Sequence, residues 1–420
     1  MAVVKPFKGL RFQESAGPIK ELVCPPYDII SEDQRKSFLK TNEHNVIRLE
    51  LPKEGDNIYE KAGEVLNSWL SDNIIATEDQ AKFYVYEEEF EGDGIQKSFK
   101  GVIARVKLSE FSEGVVIPHE NTLSAAKEDR FNLMCATGCN FSQVYCLFED
   151  KDKQITNVLD SVNDSAAINE LTENENVTHR LWTLNSDCGL TELFADKCLY
   201  IADGHHRYET ALRYRQYERD NGAEADAASE YVMMMLVPIE SEGLVVFPTH
   251  RIVHSLDSFD GRQMLIDARD YFHVGEIPSY ASLERNLKAE YNAGKISFGA
   301  YFDNRYYLLT LKSHPTLSEL LPELHETLRT LDVSVLHSLI LEKLMGIDKE
   351  NMAKQINLKY TRDANEAVDE VNNGANCAFF LNPTRVEQIA AVGGAGQKMP
   401  QKSTYFYPKL ITGLVMNKIK

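Results

Sequence analysis

The stretch that most constrains this chain runs from Lys197 to Tyr217. The apolar run Lys197-Cys198-Leu199-Tyr200-Ile201-Ala202 gives way across Asp203-Gly204 to residues at helical spacing from Tyr208 to Tyr217. It reads as a strand, a tight turn and a helix. A glycine at such a turn lets backbone approach a ligand closely, and the helix after it points unpaired N–H groups and a positive dipole end outward. Anions bind readily at such a place. Arg207, in the first helical turn, adds a fork of donors matched to phosphate or carboxylate oxygens. His205 and His206 add two groups that titrate near neutral pH. Asp203 is placed to accept a proton or to hold a magnesium ion. The plainer reading, that Asp203 caps the helix while the histidines pack, accounts for one of these five residues.

Around this unit the pattern is mixed. Asp56 to Asp72 carries Ile58, Ala62, Val65, Leu66 and Leu70 at helical spacing and predicts an amphipathic helix. Lys82–Phe90 and Ser98–Leu108 alternate partially and join through Gly92-Asp93-Gly94, a hairpin signal. Ser142–Phe148 predicts another strand, and Asp150 to about Glu175 a peripheral helical segment. Tyr231–Pro238 and Leu244–Pro248 read as strands around Glu240-Ser241-Glu242-Gly243. Beyond Leu256 helices alternate with short strands: Ile296–Phe302 and Tyr306–Leu311 as strands, Val333–Leu344 and Ala364–Asn373 as helices, Ala378–Leu381 as a strand. A boundary near residue 255 then separates an N-terminal domain, 1–255, from a C-terminal domain, 256–420.

Composition bounds the class. A chain of 420 residues is long for one core and predicts two or three domains. Apolar residues at 43% and charged residues at 26% are globular values. No run approaches the roughly 20 apolar residues of a spanning helix, and Met1-Ala2-Val3-Val4-Lys5-Pro6-Phe7 lacks the pattern of a signal peptide. The expectation is a cytoplasmic protein without a membrane partner. Seven cysteines without a CxxC pair indicate neither a disulfide framework nor a zinc ribbon. Cys135 and Cys139, one helical turn apart, read as packing. A net charge of −19 disfavours nucleic acid as a partner, whereas a small phosphorylated metabolite needs only a few donors.

Further clusters carry candidate chemistry. In Pro118-His119-Glu120-Asn121-Thr122, after the apolar run Val115–Ile117, Glu120 is the candidate base and His119 a candidate substrate contact. Lys127 and Arg130 come next, about one helical turn apart, a spacing that lets both face one anion or, on the plain reading, pair with acids on a solvated helix. In Cys24-Pro25-Pro26-Tyr27-Asp28 the prolines lock an extended loop that presents Tyr27 and Asp28, while Cys24 reads as a small buried residue. His250 and Arg251 of Pro248-Thr249-His250-Arg251 are further donors, as are Lys398, Lys402, Ser403 and Thr404 of the polar terminal segment Gly396–Lys409. The chain lacks GxxxxGK[ST], so the P-loop route to ATP is excluded.

Ile201-Ala202-Asp203-Gly204-His205-His206-Arg207-Tyr208-Glu209 resembles the signature of the domain of unknown function 1015 family. Lys5-Pro6-Phe7, Pro25-Pro26-Tyr27-Asp28, Pro118-His119-Glu120, Lys127-Glu128-Asp129-Arg130, Pro248-Thr249-His250-Arg251 and Lys398–Phe406 look like its other motifs in the same order. The turn is also similar to that of the ParB and sulfiredoxin superfamily, whose members hold nucleotide phosphates at this helix start and include free serine kinases. The resemblance implies an α+β fold, with a ParB/sulfiredoxin-like mixed α/β N-terminal region and a smaller C-terminal α/β domain contributing Lys398 to Thr404. It implies a nucleotide or phosphate pocket at Asp203 to Arg207, with ATP or ADP as donor. Two histidines in the turn and no basic helix-turn-helix depart from the ParB pattern and put DNA segregation in doubt.

Together these features lead to phosphoryl transfer on a small phosphorylated metabolite, with phosphoserine phosphatase or free serine kinase as the specific expectation. The chemistry asks mainly for positioning and charge neutralisation. Arg207, Lys127 and Arg130 would clamp phosphate, Glu120 or Asp203 would take a proton, and His205 or His206 would give one. A non-catalytic nucleotide switch is the main rival, and a ParB-like nucleic-acid-associated protein the other.

Overall fold

The computed structural model describes all residues except 93, 121, 123, 174–175, 185–186 and 313–316, and the side chains of 124 and 125. The predicted turn position 93 and motif position 121 thus lie outside the described residues. The fold is α+β, and the chain divides into two compact units. The first comprises Met1–Pro118, Thr122–Val245 and Phe406–Lys420, and the second His119–Asn121 and Val246–Tyr405. No helix among the described residues is long and apolar enough to cross a membrane.

The first unit is built on a nine-stranded sheet. Its strands are β1 (Val4–Lys5), β2 (Phe83–Gly92), β3 (Ile95–Lys107), β4 (Val116–Ile117), β5 (Val144–Phe148), β6 (Asn169–Thr172), β7 (Thr178–Leu184), β8 (Leu199–Asp203) and β9 (Tyr231–Pro238). Their order is β4-β8-β5-β9-β3-β2-β7-β6, with β1 pairing off this path on β3. The sheet is mixed: β8 runs parallel to β4 and antiparallel to β5, while β5 runs parallel to β9. All eight residues of β9, Tyr-Val-Met-Met-Met-Leu-Val-Pro, are buried, as expected of a central strand covered on both faces. Gly101 of β3 is required beside it, because a Cβ there would stand 2.4 Å from the Leu236 carbonyl oxygen.

Helices α1 (Ile58–Ser71), α2 (Ser124–Thr137) and α3 (His205–Asp220) pack in succession, α1 on α2 and α2 on α3. The apolar stripe read from Ile58 to Leu70 becomes α1, which buries Ala62, Leu66 and Trp69 in a cluster with Cys24, Ile47 and Cys139. Tyr208, Ala211 and Tyr214 of α3 join the larger core under the sheet. The hairpin forms with β2 and β3 in register from Tyr84↔Ile103 to Gly92↔Ile95.

In the second unit β10 (His250–Val253), β11 (Phe272–Ile277), β12 (Ser297–Phe302), β13 (Arg305–Leu311), β14 (Leu358–Thr361) and β15 (Cys377–Leu381) make an antiparallel sheet in the order β11-β13-β12-β15-β10-β14. Helices α4 (Tyr280–Asn292) and α5 (Ala364–Asn372) pack on it through Leu283, Leu287 and Ala367. A further helix, α6 (Val386–Gly394), comes after β15 in the chain.

Three local expectations change. Within the segment from Asp150, helix covers only Gln154–Asp160, while Asn169–Thr172 becomes β6, because pairing with β7 satisfies backbone groups that helical spacing alone does not reveal. Leu244–Pro248 is extended as a strand only at Val245–Val246. Val333–Leu344 begins as an α-turn at Asp332–Val335 and continues as a π-helix over Leu336–Leu344. Periodicity alone does not separate i→i+4 from i→i+5 bonding where an apolar run is buried on several faces.

Candidate functional site

At the end of β8 the chain turns through Gly204, whose φ of +87° is a left-handed conformation that favours glycine. The glycine has a second reason. A Cβ at this position would lie 2.8 Å from Arg207 Nε and 2.9 Å from Nη2, so the bare glycine leaves the space in which Arg207 folds back over the turn. Folded back, Arg207 donates from Nη2 to Asp203 Oδ2 at 2.7 Å and from Nη1 to the Gln143 carbonyl. Lys409 takes the other oxygen, with Nζ 2.8 Å from Asp203 Oδ1. Asp203 thus sits between two cations, and the trio carries one net positive charge. His205 is buried at the start of α3, and His206 beside it is partly exposed.

Arg207 also lines a cavity of about 40 Å³ with Arg130, Glu50, Ser142 and Thr210. Glu50 is only 2% exposed, and its Oε1 accepts from Ser142 Oγ at 2.8 Å. Burial pushes its carboxyl up, against the charges of Arg130 and Arg207 and the bond from Ser142. Arg130 donates to the Glu50 carbonyl at 2.7 Å and to Asp129 at 2.6 and 2.8 Å, with the Tyr27 ring 4.1 Å from its guanidinium carbon. Burial pushes the Tyr27 hydroxyl up, and the charge of Asp28 acts in the same sense. The rigid loop predicted at Pro25–Asp28 therefore comes to Arg130.

Lys127 turns elsewhere. Its Nζ lies 2.7 Å from Glu209 Oε2, which also accepts from Thr122 Oγ1 at 2.8 Å. Although Lys127 and Arg130 are one turn apart on α2, Lys127 bonds to the Glu209 carboxylate of α3, whereas Arg130 bonds to the Asp129 carboxylate and the Glu50 carbonyl, with the Glu50 carboxylate 3.9 Å away.

The remaining predicted residues belong to the second unit. Met399 N–H donates to the His119 carbonyl at 2.7 Å, His119 Nε2 lies 2.9 Å from Thr404 Oγ1, and Glu120 Oε1 accepts from the Lys402 amide at 2.5 Å. The motif at His119-Glu120 and the segment Lys398–Thr404 are thereby joined, although 282 positions separate Glu120 from Lys402. Ser403 Oγ donates to the Pro400 carbonyl at 2.6 Å. Lys398 lines a cavity of about 240 Å³ with His337, Tyr360 and Gln401. Burial and the neighbouring Arg251 hold His250 down at about 4, and its Nδ1 accepts from the Leu381 amide at 3.3 Å.

Sequence reasoning missed Lys409 and Glu50 as site members. Lys409 had a signal, since it closes the polar terminal run just after Tyr407-Pro408. Glu50, in Arg48-Leu49-Glu50, had none.

A family model described as "Protein of unknown function (DUF1015)" matches residues 4–334. The chain belongs to that family. The DUF1015 match contains the turn, Glu50, Arg130 and Arg251, while Lys398–Thr404 and Lys409 lie beyond it. A search of curated proteins finds no match. Similar solved structures include a free serine kinase in complex with AMP, at 12% identity over 76% of this chain and 91% of that chain, with a TM-score of 0.37. They also include a conserved hypothetical protein from Pyrococcus furiosus, at 13% identity over 76% and 95%, TM-score 0.37. SbnI with a C-terminal truncation, from Staphylococcus aureus, is similar at 10% identity over 74% and 86%, TM-score 0.37.

Proposed function

We propose that the protein is a phosphoryl-transfer enzyme acting on a small phosphorylated metabolite at the Asp203–Arg207 turn. The observation that carries this reading is the pair of cations, Arg207 and Lys409, held on one carboxylate. Two positive charges on one negative charge leave an electropositive rim at a helix start, with the donors already positioned. In this reading Arg207 and Lys409 neutralise phosphate oxygens and Asp203 positions them. Glu50, beside Arg207 in the same cavity, takes the proton from the attacking hydroxyl or water. As the new O–P bond forms, the bond to the leaving oxygen breaks. That oxygen departs as a nucleotide phosphate oxygen in the kinase direction, or takes a proton from His205 or His206 in the phosphatase direction.

Asp203 was also the candidate magnesium ligand. Both its oxygens accept from cations, an arrangement that does not suit a metal ligand. Glu120, the base expected from sequence, has an oxygen taken by the Lys402 amide, and Glu50 takes the role of base beside Arg207.

Serine and phosphoserine are the substrates to try first, because the turn resembles that of a superfamily that includes free serine kinases. The test is phosphate release from phosphoserine beside ATP- and ADP-dependent phosphorylation of free serine, with wild type and Arg207→Ala. Turnover lost in the variant is expected. An Arg207→Ala protein as active as wild type would remove the turn from the chemistry.

A further inference from the structure

In the second unit Arg251 and Asp332, of opposite sign, have no ion pair within 4 Å among the described residues, and both line one cavity. Four arginines are buried among the described residues: Arg35, Arg130, Arg215 and Arg251. The first three each have a carboxylate nearby, Glu54 at 3.4 Å for Arg35, Asp129 at 2.6 Å for Arg130 and Glu110 for Arg215. Arg251, 1% exposed, has none within 4 Å among the described residues. Its Nε donates to His337 Nε2 at 3.2 Å, its Nη2 to the Gln401 carbonyl at 3.1 Å and its Nη1 to the Thr249 carbonyl, all neutral acceptors. A guanidinium has five N–H donors, so this one retains capacity for an anion. Burial brings Arg251 down to about 10, against the opposing influence of Tyr360 and of the more distant Glu120 carboxylate.

Asp332 is the complementary case. Asn382 Nδ2 donates to its Oδ2 at 3.2 Å and the Ser297 amide also donates to it, but no cation of the described residues lies within 4 Å. Burial pushes it up to about 7, against those two bonds and the charge of Arg385. The wall offers this carboxyl donors, which suits it as a carboxylate. Arg251 is buried and Asp332 partly so, and charges withdrawn from water are costly until an opposite charge reaches them.

Arg251 and Asp332 line the same cavity of about 50 Å³, together with Thr249, Thr384, Arg385 and Ser403. At about 10–15 Å³ for each water-sized position, it holds about three to five of them, the scale of the smallest amino acids. Arg385 adds positive charge there while stacking on the Tyr291 ring at 3.9 Å, and Lys295, also on the wall, is paired with Glu290 at 2.9 Å. A lone anion would leave Asp332 without a partner. A lone amine would leave Arg251 without one.

We infer that this cavity binds a small α-amino acid as its zwitterion, the carboxylate on Arg251 and the ammonium on Asp332. The inference goes beyond the reading of the Asp203–Arg207 turn and stands on different residues, so either can fail alone.

Titration calorimetry on the full chain tests it with glycine, L-alanine and L-serine against acetate, ethanolamine and inorganic phosphate. The amino acids should bind with one-to-one stoichiometry, and acetate and ethanolamine at least about tenfold more weakly. Asp332→Asn keeps the shape of the wall and should lower amino-acid affinity about tenfold or more. Should that variant fail to fold, the ligand series on wild type still decides. Acetate or phosphate binding as tightly as alanine, an unchanged affinity in a folded Asp332→Asn, or no heat with any amino acid at millimolar concentration would each overturn the assignment.

Discussion

Arg207 reaches Asp203 across a glycine: its guanidinium lies 2.8 to 3.0 Å from where a Cβ on Gly204 would stand, and it closes on the carboxylate at 2.7 Å. The Asp-Gly-x-x-Arg spacing is therefore one mechanical unit. Gly204→Ala should cost roughly 1–2 kcal/mol for the left-handed backbone alone, and it should also expel Arg207 from its place. A urea midpoint shift together with lost turnover is expected. An alanine variant with wild-type stability and activity would show that the fold-back has no role.

Lys409 arrives at Asp203 from near the C-terminus, 206 positions away. If it shares the phosphate with Arg207, Lys409→Met should lower turnover by roughly ten- to a thousandfold. The double variant with Arg207→Ala should then lose less than the two effects multiplied, because both act on one group. Multiplicative losses would mean that the two cations work independently.

Glu50 offers a pH signature. Its carboxyl is pushed up by burial, so a proton acceptor at this position is neutralised as pH falls while ordinary carboxylates are still ionised. The acid limb of the rate profile should lie above the usual glutamate range and disappear in Glu50→Gln, with substrate affinity kept. An acid limb that survives in the variant would assign the proton elsewhere.

His179 gives a prediction about stability. Its ring is buried between Glu88, 3.3 Å from Nδ1, and Glu173, 3.6 Å from Nε2, with the Tyr86 hydroxyl 2.7 Å from Nδ1. Burial lowers its basicity, but hydrogen bonds and charge from Glu173 and Glu88 outweigh it and raise His179 from 6.5 to about 9. The folded-state value is above the unfolded one, so the stabilisation is complete below about 6.5 and is lost as pH rises through about 9. The loss should be on the order of 3 kcal/mol. Denaturant midpoints at pH 7 and pH 10 should diverge in wild type and converge in His179→Gln, and equal wild-type midpoints would contradict the charged ring.

Much of this was legible along the chain because it is local. The strand, turn and helix at 199–220, the hairpin at 83–107 and α1 come from periodicities of two and 3.6 and from one glycine conformation, all set by residues a few positions apart. What the charged residues touch was not legible. Lys127 and Arg130 sit one turn apart and bond to different carboxylates, Glu209 and Asp129, Glu50 enters the cavity of Arg207 without any motif, and Arg251 and Asp332 line one cavity from separate elements. Local patterning marked most of the strands and helices and the glycine of the turn, but not the Asn169–Thr172 strand. Strand order and helix packing decided which charges meet, because a periodicity repeats over a few residues whereas a pairing such as Lys409 on Asp203 depends on how the whole sheet is laid out.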